Sequence, residues 1–111
     1  MAKKTNDNVI LMDLNDASAL KLIRELAKDT HNVAMVYHSN LRKRQRKVSD
    51  IQILNCLRKG RIIESVHRTP RGNWKLTLQY GSMKKAVRVV AVLDNSNNGN
   101  YIIVVTVIAI E

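Results

Sequence analysis

At Gly60 the spacing of apolar residues changes from helical to alternating, which restricts the chain to a mixed fold with helices first and strands after. Before the switch, Ala19, Leu20, Ile23, Leu26 and Ala27 recur at three- and four-residue steps. That stripe predicts one amphipathic helix, capped by Asn15 or Asp16 and running to about Lys28. Asp29-Thr30-His31-Asn32 breaks it, and the short apolar run Val33 to Tyr37 reads either as a strand or as an extended lead-in to the basic stretch that begins at His38. A second helix is predicted over Asp50 to Lys59. Ser49 and Gln52 have the spacing of a capping box, and Val48 and Ile53 that of a hydrophobic staple. Ile53, Leu54 and Leu57 supply its buried face, Arg58 and Lys59 suit its negative end, and Gly60 suits a left-handed stop.

Beyond Gly60 four strands are predicted. Arg61 to Arg68 is the first, then comes a turn at Thr69-Pro70-Arg71-Gly72. In Asn73 to Tyr80, Trp74, Leu76, Leu78 and Tyr80 share one face while Lys75, Thr77 and Gln79 share the other. Gly81-Ser82 turns the chain into Val87 to Leu93, and the loop Asn95 to Asn100 leads into Tyr101 to Ile110. That last strand is apolar on both faces, as a central, covered strand would be. The expected architecture is α+β, with two or three N-terminal helices packed on a four-stranded antiparallel meander sheet. Residues 1–14 are expected to be a flexible tail and 15–111 a single domain, since 111 residues at 45% hydrophobic content build one core.

Charge narrows the choice of partner. Residues 1–37 are neutral overall and 76–111 carry +1, whereas 38–75 hold eleven cationic side chains against Asp50 and Glu64 and carry +9 of the +10. A block of this kind steers polyanions to one face through counterion release. Its densest part, His38 to Ser49, read as a helix, puts His38, Arg42 and Arg46 on one ridge beside a stripe of Leu41 and Val48. Lys43, Arg44 and Lys47 fall on the remaining solvated arc. Two apolar residues are too few to seat such a helix in a membrane surface. The ten-residue run Tyr101 to Ile110 is half of the roughly 20 residues that a membrane-spanning helix needs. No membrane partner is expected, and Val9 to Met12 is too short for a signal peptide, so the expected compartment is the cytoplasm. Nucleic acid is the expected partner, RNA in preference to DNA, with an acidic protein that mimics it as the rival.

The residue types restrict the chemistry. Carboxylates are scarce in the basic block, and His31, His38 and His67 lack ligand spacing, so neither a metal nor another cofactor is expected. Cys56, the single cysteine, sits on a helix flank far from any histidine and reads as structural. Metal-free RNA cleavage stays open, because the 2′-hydroxyl is the nucleophile and the protein need only move protons and stabilise the charged phosphorane. His38, Arg42 and Arg46 are the candidate catalytic residues. Lys43, Arg44, Lys47, Arg61, Arg71, Lys75 and Arg88 are the candidate nucleic-acid-binding residues. The alternative is a non-catalytic module that uses the same cations only to hold phosphate or an acidic protein. His67 reads as a surface residue and Trp74 as core.

One ordered set of motifs resembles a known group. It runs His38-x3-Arg42-x3-Arg46-x-Val48-Ser49, then Leu57-Arg58-Lys59-Gly60-Arg61-Ile62-Ile63-Glu64, Gly72-Asn73-Trp74 and Val105-Thr106-Val107. The set resembles a bacterial family of small uncharacterised domains grouped with RelE-like and BrnT-like toxins, over about residues 15 to 108. The resemblance implies a RelE-like α+β fold, metal-independent RNA cleavage and an acidic antitoxin-like partner, with His38, Arg42, Arg46, Glu64 and Trp74 at the motif positions. RelE toxins carry basic and tyrosine groups near the C-terminal strand, whereas that strand here offers Tyr101 and no cation.

Overall fold

The computed structural model describes residues 14–36, 48–82, 85–94 and 101–110. The expected tail, apart from Leu14, and the segment 37–47 lie outside the described residues. Helix α1 spans Asp16–Leu26, a 3-10 turn Thr30–Asn32 leads into strand β1 at Val33–Met35, and helix α2 spans Asp50–Lys59. Strands β2 (Arg61–Arg68), β3 (Trp74–Tyr80), β4 (Ala86–Asp94) and β5 (Tyr101–Ile110) complete the order.

Both helices begin where their side chains satisfy the first backbone amides. Asn15 caps α1: its Oδ1 accepts from the Ser18 N–H at 2.8 Å, and Ser18 Oγ accepts from the Asn15 N–H at 3.0 Å. Ser49 and Gln52 exchange the equivalent pair at α2, at 3.2 and 2.8 Å. Their C-terminal ends are satisfied reciprocally. Arg58 Nε of α2 donates to the Ala27 carbonyl at the end of α1 (2.8 Å), and Arg24 Nη2 of α1 donates to the Gly60 carbonyl at the end of α2 (3.2 Å). Arg58→Ala is expected to lower the unfolding free energy by about 1.5–3 kcal/mol, the range for a charge-assisted hydrogen bond, as read from urea denaturation.

Gly60 corrects one expectation. Its φ is −70°, so the stop is not left-handed. Glycine is required there because a Cβ would stand 2.4 Å from the Cys56 carbonyl oxygen and 3.1 Å from that of Gln79, where the chain passes directly from helix into β2. At Gly81 both demands coincide, a φ of 121° and a Cβ position 2.5 Å from the Lys85 carbonyl.

The sheet is five-stranded and mixed, in the order β1-β5-β4-β3-β2. β2 to β5 form the expected antiparallel meander. The expected count of four is corrected by β1, which pairs in parallel with β5 through Val33↔Ile102, Ala34↔Ile103 and Met35↔Val104. Three residues are too few to show a period, and their partner strand lies at the far end of the chain, so the pairing leaves no local sign. Among the described residues two α-helices are present, both on one face of the sheet.

The core lies between that face and the helices. Ala19 and Ile23 of α1 and Ile53, Cys56 and Leu57 of α2 meet Leu76, Leu78, Val87, Val89, Ala91, Leu93, Ile102, Val104 and Val107, all buried. Asp16 ties the start of α1 to the far edge of the sheet, accepting from the Val66 N–H at 2.8 Å and from the Ser65 hydroxyl at 3.0 Å. β5 is interior to the sheet, as expected, but among the described residues it is covered on one side only. Ile102, Val104 and Val107 are buried under the helices, while Ile103, Val105, Thr106, Ile108 and Ile110 are half-exposed.

Candidate functional site

Side chains alternate across a strand, so the register assigns every residue of the sheet to a face. The face opposite the helices carries three cross-strand rows: Arg61–Gln79–Arg88–Ile108, Glu64–Thr77–Val90–Thr106 and His67–Lys75–Val92–Ile103. Arg61, Lys75 and Arg88 thus share one face, with His67 beside Lys75. The first and third rows are four residues apart on β3, about 13 Å. Glu64 is engaged within this set: it accepts from the Thr77 hydroxyl at 2.7 Å. Arg88 is held in place by Gln79, whose Oε1 accepts from Nη2 at 2.9 Å and from Nε at 3.2 Å. Part of the guanidinium fork is thereby oriented by the sheet without being consumed in it.

At one end of this face a groove of about 450 Å³ opens between β3, β4, β5 and the β2–β3 turn. Its apolar floor is Val36, Val92, Ile103 and Val105, and its polar bank is Thr69, Arg71, Asn73 and Lys75. The turn that carries Arg71 is braced: Gly72 N–H donates to the Thr69 carbonyl at 2.9 Å, and the Thr69 N–H donates to the Asn73 carbonyl at 2.8 Å. Cations on a polar bank above an apolar floor suit a ligand with both a phosphate and a flat, weakly polar part. A second, shallower pocket of about 390 Å³ at the other end is lined by Lys59, Arg61, Gln79, Tyr80, Gly81 and Ser82.

The structure therefore gathers Arg61, Arg71, Lys75 and Arg88, each expected to bind nucleic acid, around one face. His38, Arg42 and Arg46, and with them Lys43, Arg44 and Lys47, lie outside the described residues. Val36, the last described residue before that basic segment, lines the groove. Trp74 faces the helices, half-buried against the core, with the Arg68 guanidinium 4.8 Å above its ring. Arg68, like Arg24 and Arg58, is thus engaged within the fold. No sequence pattern separated these structural arginines from the ones on the open face, because all carry the same charge and differ only in what folding places beside them. His67 is exposed, its Nδ1 3.1 Å from the Ser65 carbonyl. His31 sits before β1, at the opposite edge of the sheet, and its backbone N–H holds the Asp29 carboxyl below the usual range.

Cys56 is fully buried, its Sγ donating to the Val87 carbonyl at 3.5 Å, and burial pushes the thiol up to about 12. At neutral pH it is neither ionised nor reachable. Its ordinary value is 9.0, so between that and about 12 the folded chain keeps a proton that the unfolded chain has released. Stability is then expected to fall with rising pH by up to about 1.4 kcal/mol per unit in this window, and not below it. Cys56→Ala should remove that part of the slope in denaturation curves taken from about pH 8 to 11.

Among the described residues no helix is long and apolar enough to cross a membrane. Nor do three metal-binding side chains come together among them.

Residues 35–109, from the end of β1 through nearly all of β5, match the model of a Domain of unknown function (DUF4258). The chain belongs to the DUF4258 family. No curated protein and no solved structure matches it. The family assignment agrees with the resemblance to small uncharacterised domains, whereas the kinship with RelE-like and BrnT-like toxins rests on the motif set alone. The matched range contains the three cationic and polar rows of the open face and begins after α1, which lies outside it and pins β2 through Asp16.

Proposed function

We propose that this DUF4258 domain is an RNA-binding protein of the RelE/BrnT-like toxin type that cleaves its RNA without a metal ion. The observation that carries the reading is the groove: Arg71 and Lys75 bank an apolar floor whose Val36 leads straight into the most basic segment of the chain. Arg61 and Arg88 extend the cationic track along the same face. Phosphates would follow these side chains, and the apolar floor would take the ribose or base between them. His38 is assigned the proton transfer, with Arg42 and Arg46 neutralising the phosphorane and Lys43, Arg44 and Lys47 holding flanking phosphates. In the cleavage step the 2′-oxygen attacks the adjacent phosphorus as its proton passes to the imidazole. The bond from phosphorus to the 5′-oxygen breaks, and that oxygen leaves with the proton that the imidazole has taken up and now returns. The products are a 2′,3′-cyclic phosphate and a 5′-hydroxyl.

The test is incubation of the protein with end-labelled mixed-sequence RNA in EDTA, beside the His38→Ala variant. Cleavage to cyclic-phosphate ends by the wild type, lost in the variant while binding stays within a few-fold, is the expected result. A band shift with no cleavage by either protein would reduce the domain to a binding module. Neither shift nor cleavage would discard the RNA reading in favour of an acidic protein partner.

A further inference from the structure

The two edges of the sheet are protected very differently. An open strand edge invites pairing with another chain, and folded proteins blunt it with charges, bulges or cover. The β2 edge has all three. It carries Arg61, Glu64, His67 and Arg68, its register shifts on both sides of Glu64, and Asp16 takes the Val66 N–H. The β5 edge has little. Among the described residues β1 pairs with it at Ile102 to Val104, followed by the Val36 N–H donating to the Val104 carbonyl at 3.3 Å. Beyond it, Val105-Thr106-Val107-Ile108-Ala109-Ile110 has no strand on its outer side among the described residues. That stretch contains no charged residue, no proline and no glycine. Its one irregularity is the bulge at Val105, after which Thr106 to Ile110 pair regularly with β4.

We infer that the edge of β5 from Val105 to Ile110 is a dimerisation surface, pairing antiparallel with the same strand of a second copy to join the two sheets into one. The charge distribution selects that occupant. The chain carries +10, so two copies can approach closely only where neither presents charge, and of the four long strands β5 is the one that carries none. An acidic partner would instead be drawn to the cations of β2, β3 and the turn between them, which β5 itself does not carry. A strand paired with its own copy is self-complementary under a two-fold axis, as a closed dimer requires. Six residues of strand span about 20 Å. The contact is accordingly smaller than the roughly 800 Å² per partner of a standard interface, and association is reversible and concentration-dependent. The pairing extends the open face across both copies, with the two grooves on one continuous surface.

The experiment is sedimentation velocity over a concentration series on the wild type and on the double variants Thr106→Lys/Ile108→Lys and Thr106→Glu/Ile108→Glu. Both positions are half-exposed on the face away from the core. Thermal melts by circular dichroism establish that each variant is folded. The wild type is expected to move towards twice the monomer mass as concentration rises, each double variant to stay monomeric, and an equimolar mixture of the two to recover the dimer. That recovery requires lysines of one copy to face glutamates of the other, which loss of folding would not produce. A wild type monomeric at every concentration would overturn the inference. So would a dimer that persists in both double variants, since the contact would then lie elsewhere.

Discussion

Replacing Leu57 with alanine lowers the unfolding free energy by about 3 kcal/mol, within the roughly 2–5 kcal/mol seen for fully buried leucines. Leu57 has no exposed surface and sits on the face of α2 that meets β3 and β4, flanked by Ile53 and Cys56. The loss combines the transfer of its side chain to water with the cavity left between helix and sheet, which close packing keeps from collapsing. For a domain with a total stability of about 5–15 kcal/mol this is a large fraction. It corresponds to a fall in Tm of roughly 10–20 °C. Ile51 is the control. It lies on the same helix but is 69% exposed, so Ile51→Ala should change stability by less than about 0.5 kcal/mol. Similar losses at both positions would mean that α2 does not pack through the Leu57 face.

Removing four cations at once, as Arg61→Ala, Arg71→Ala, Lys75→Ala and Arg88→Ala combined, should change the salt dependence of RNA binding more than any single substitution. Each phosphate contact on a single strand contributes about 0.7 to the slope of log affinity against log salt. Losing four flattens the slope by roughly 3. None of the four sits in the core, and Arg88 loses only its link to Gln79, so the variant should fold and binding curves at several salt concentrations should report electrostatics alone. The comparison set is Arg24, Arg58 and Arg68, which bond to backbone or stack on Trp74. Replacing these should cost stability and leave the slope unchanged. An unaltered slope in the four-residue variant would remove the open face from the proposed RNA site.

Much of the secondary structure was legible because it rests on interactions between residues close in sequence. The capping box of Ser49 and Gln52, the stripe of Ala19 and Ile23, and the alternation from Trp74 to Tyr80 each report a local geometry with its own period. The cations of the candidate site could be named from the sequence, but not their arrangement. That Lys75 and Gln79 share a face follows from their even spacing, whereas the alignment of Arg61 and Arg88 with Gln79 depends on the register of three strands.

By itself, the sequence determined the two helices ahead of the four-strand meander, the caps, the face of β3 that meets the helices and the concentration of positive charge in its middle third. Each of these is set by a side chain acting on its near neighbours or by composition alone. Tertiary structure decided which arginines are spent on helix ends and which remain on the open face, and why Gly60 must be a glycine. It also decided that β1 joins β5 in parallel, and that the helices cover one side of β5 while, among the described residues, no strand pairs with its outer edge beyond Val104. Those outcomes depend on contacts between residues far apart in the chain, whose free energy exists only once the helices have closed over one face of the sheet.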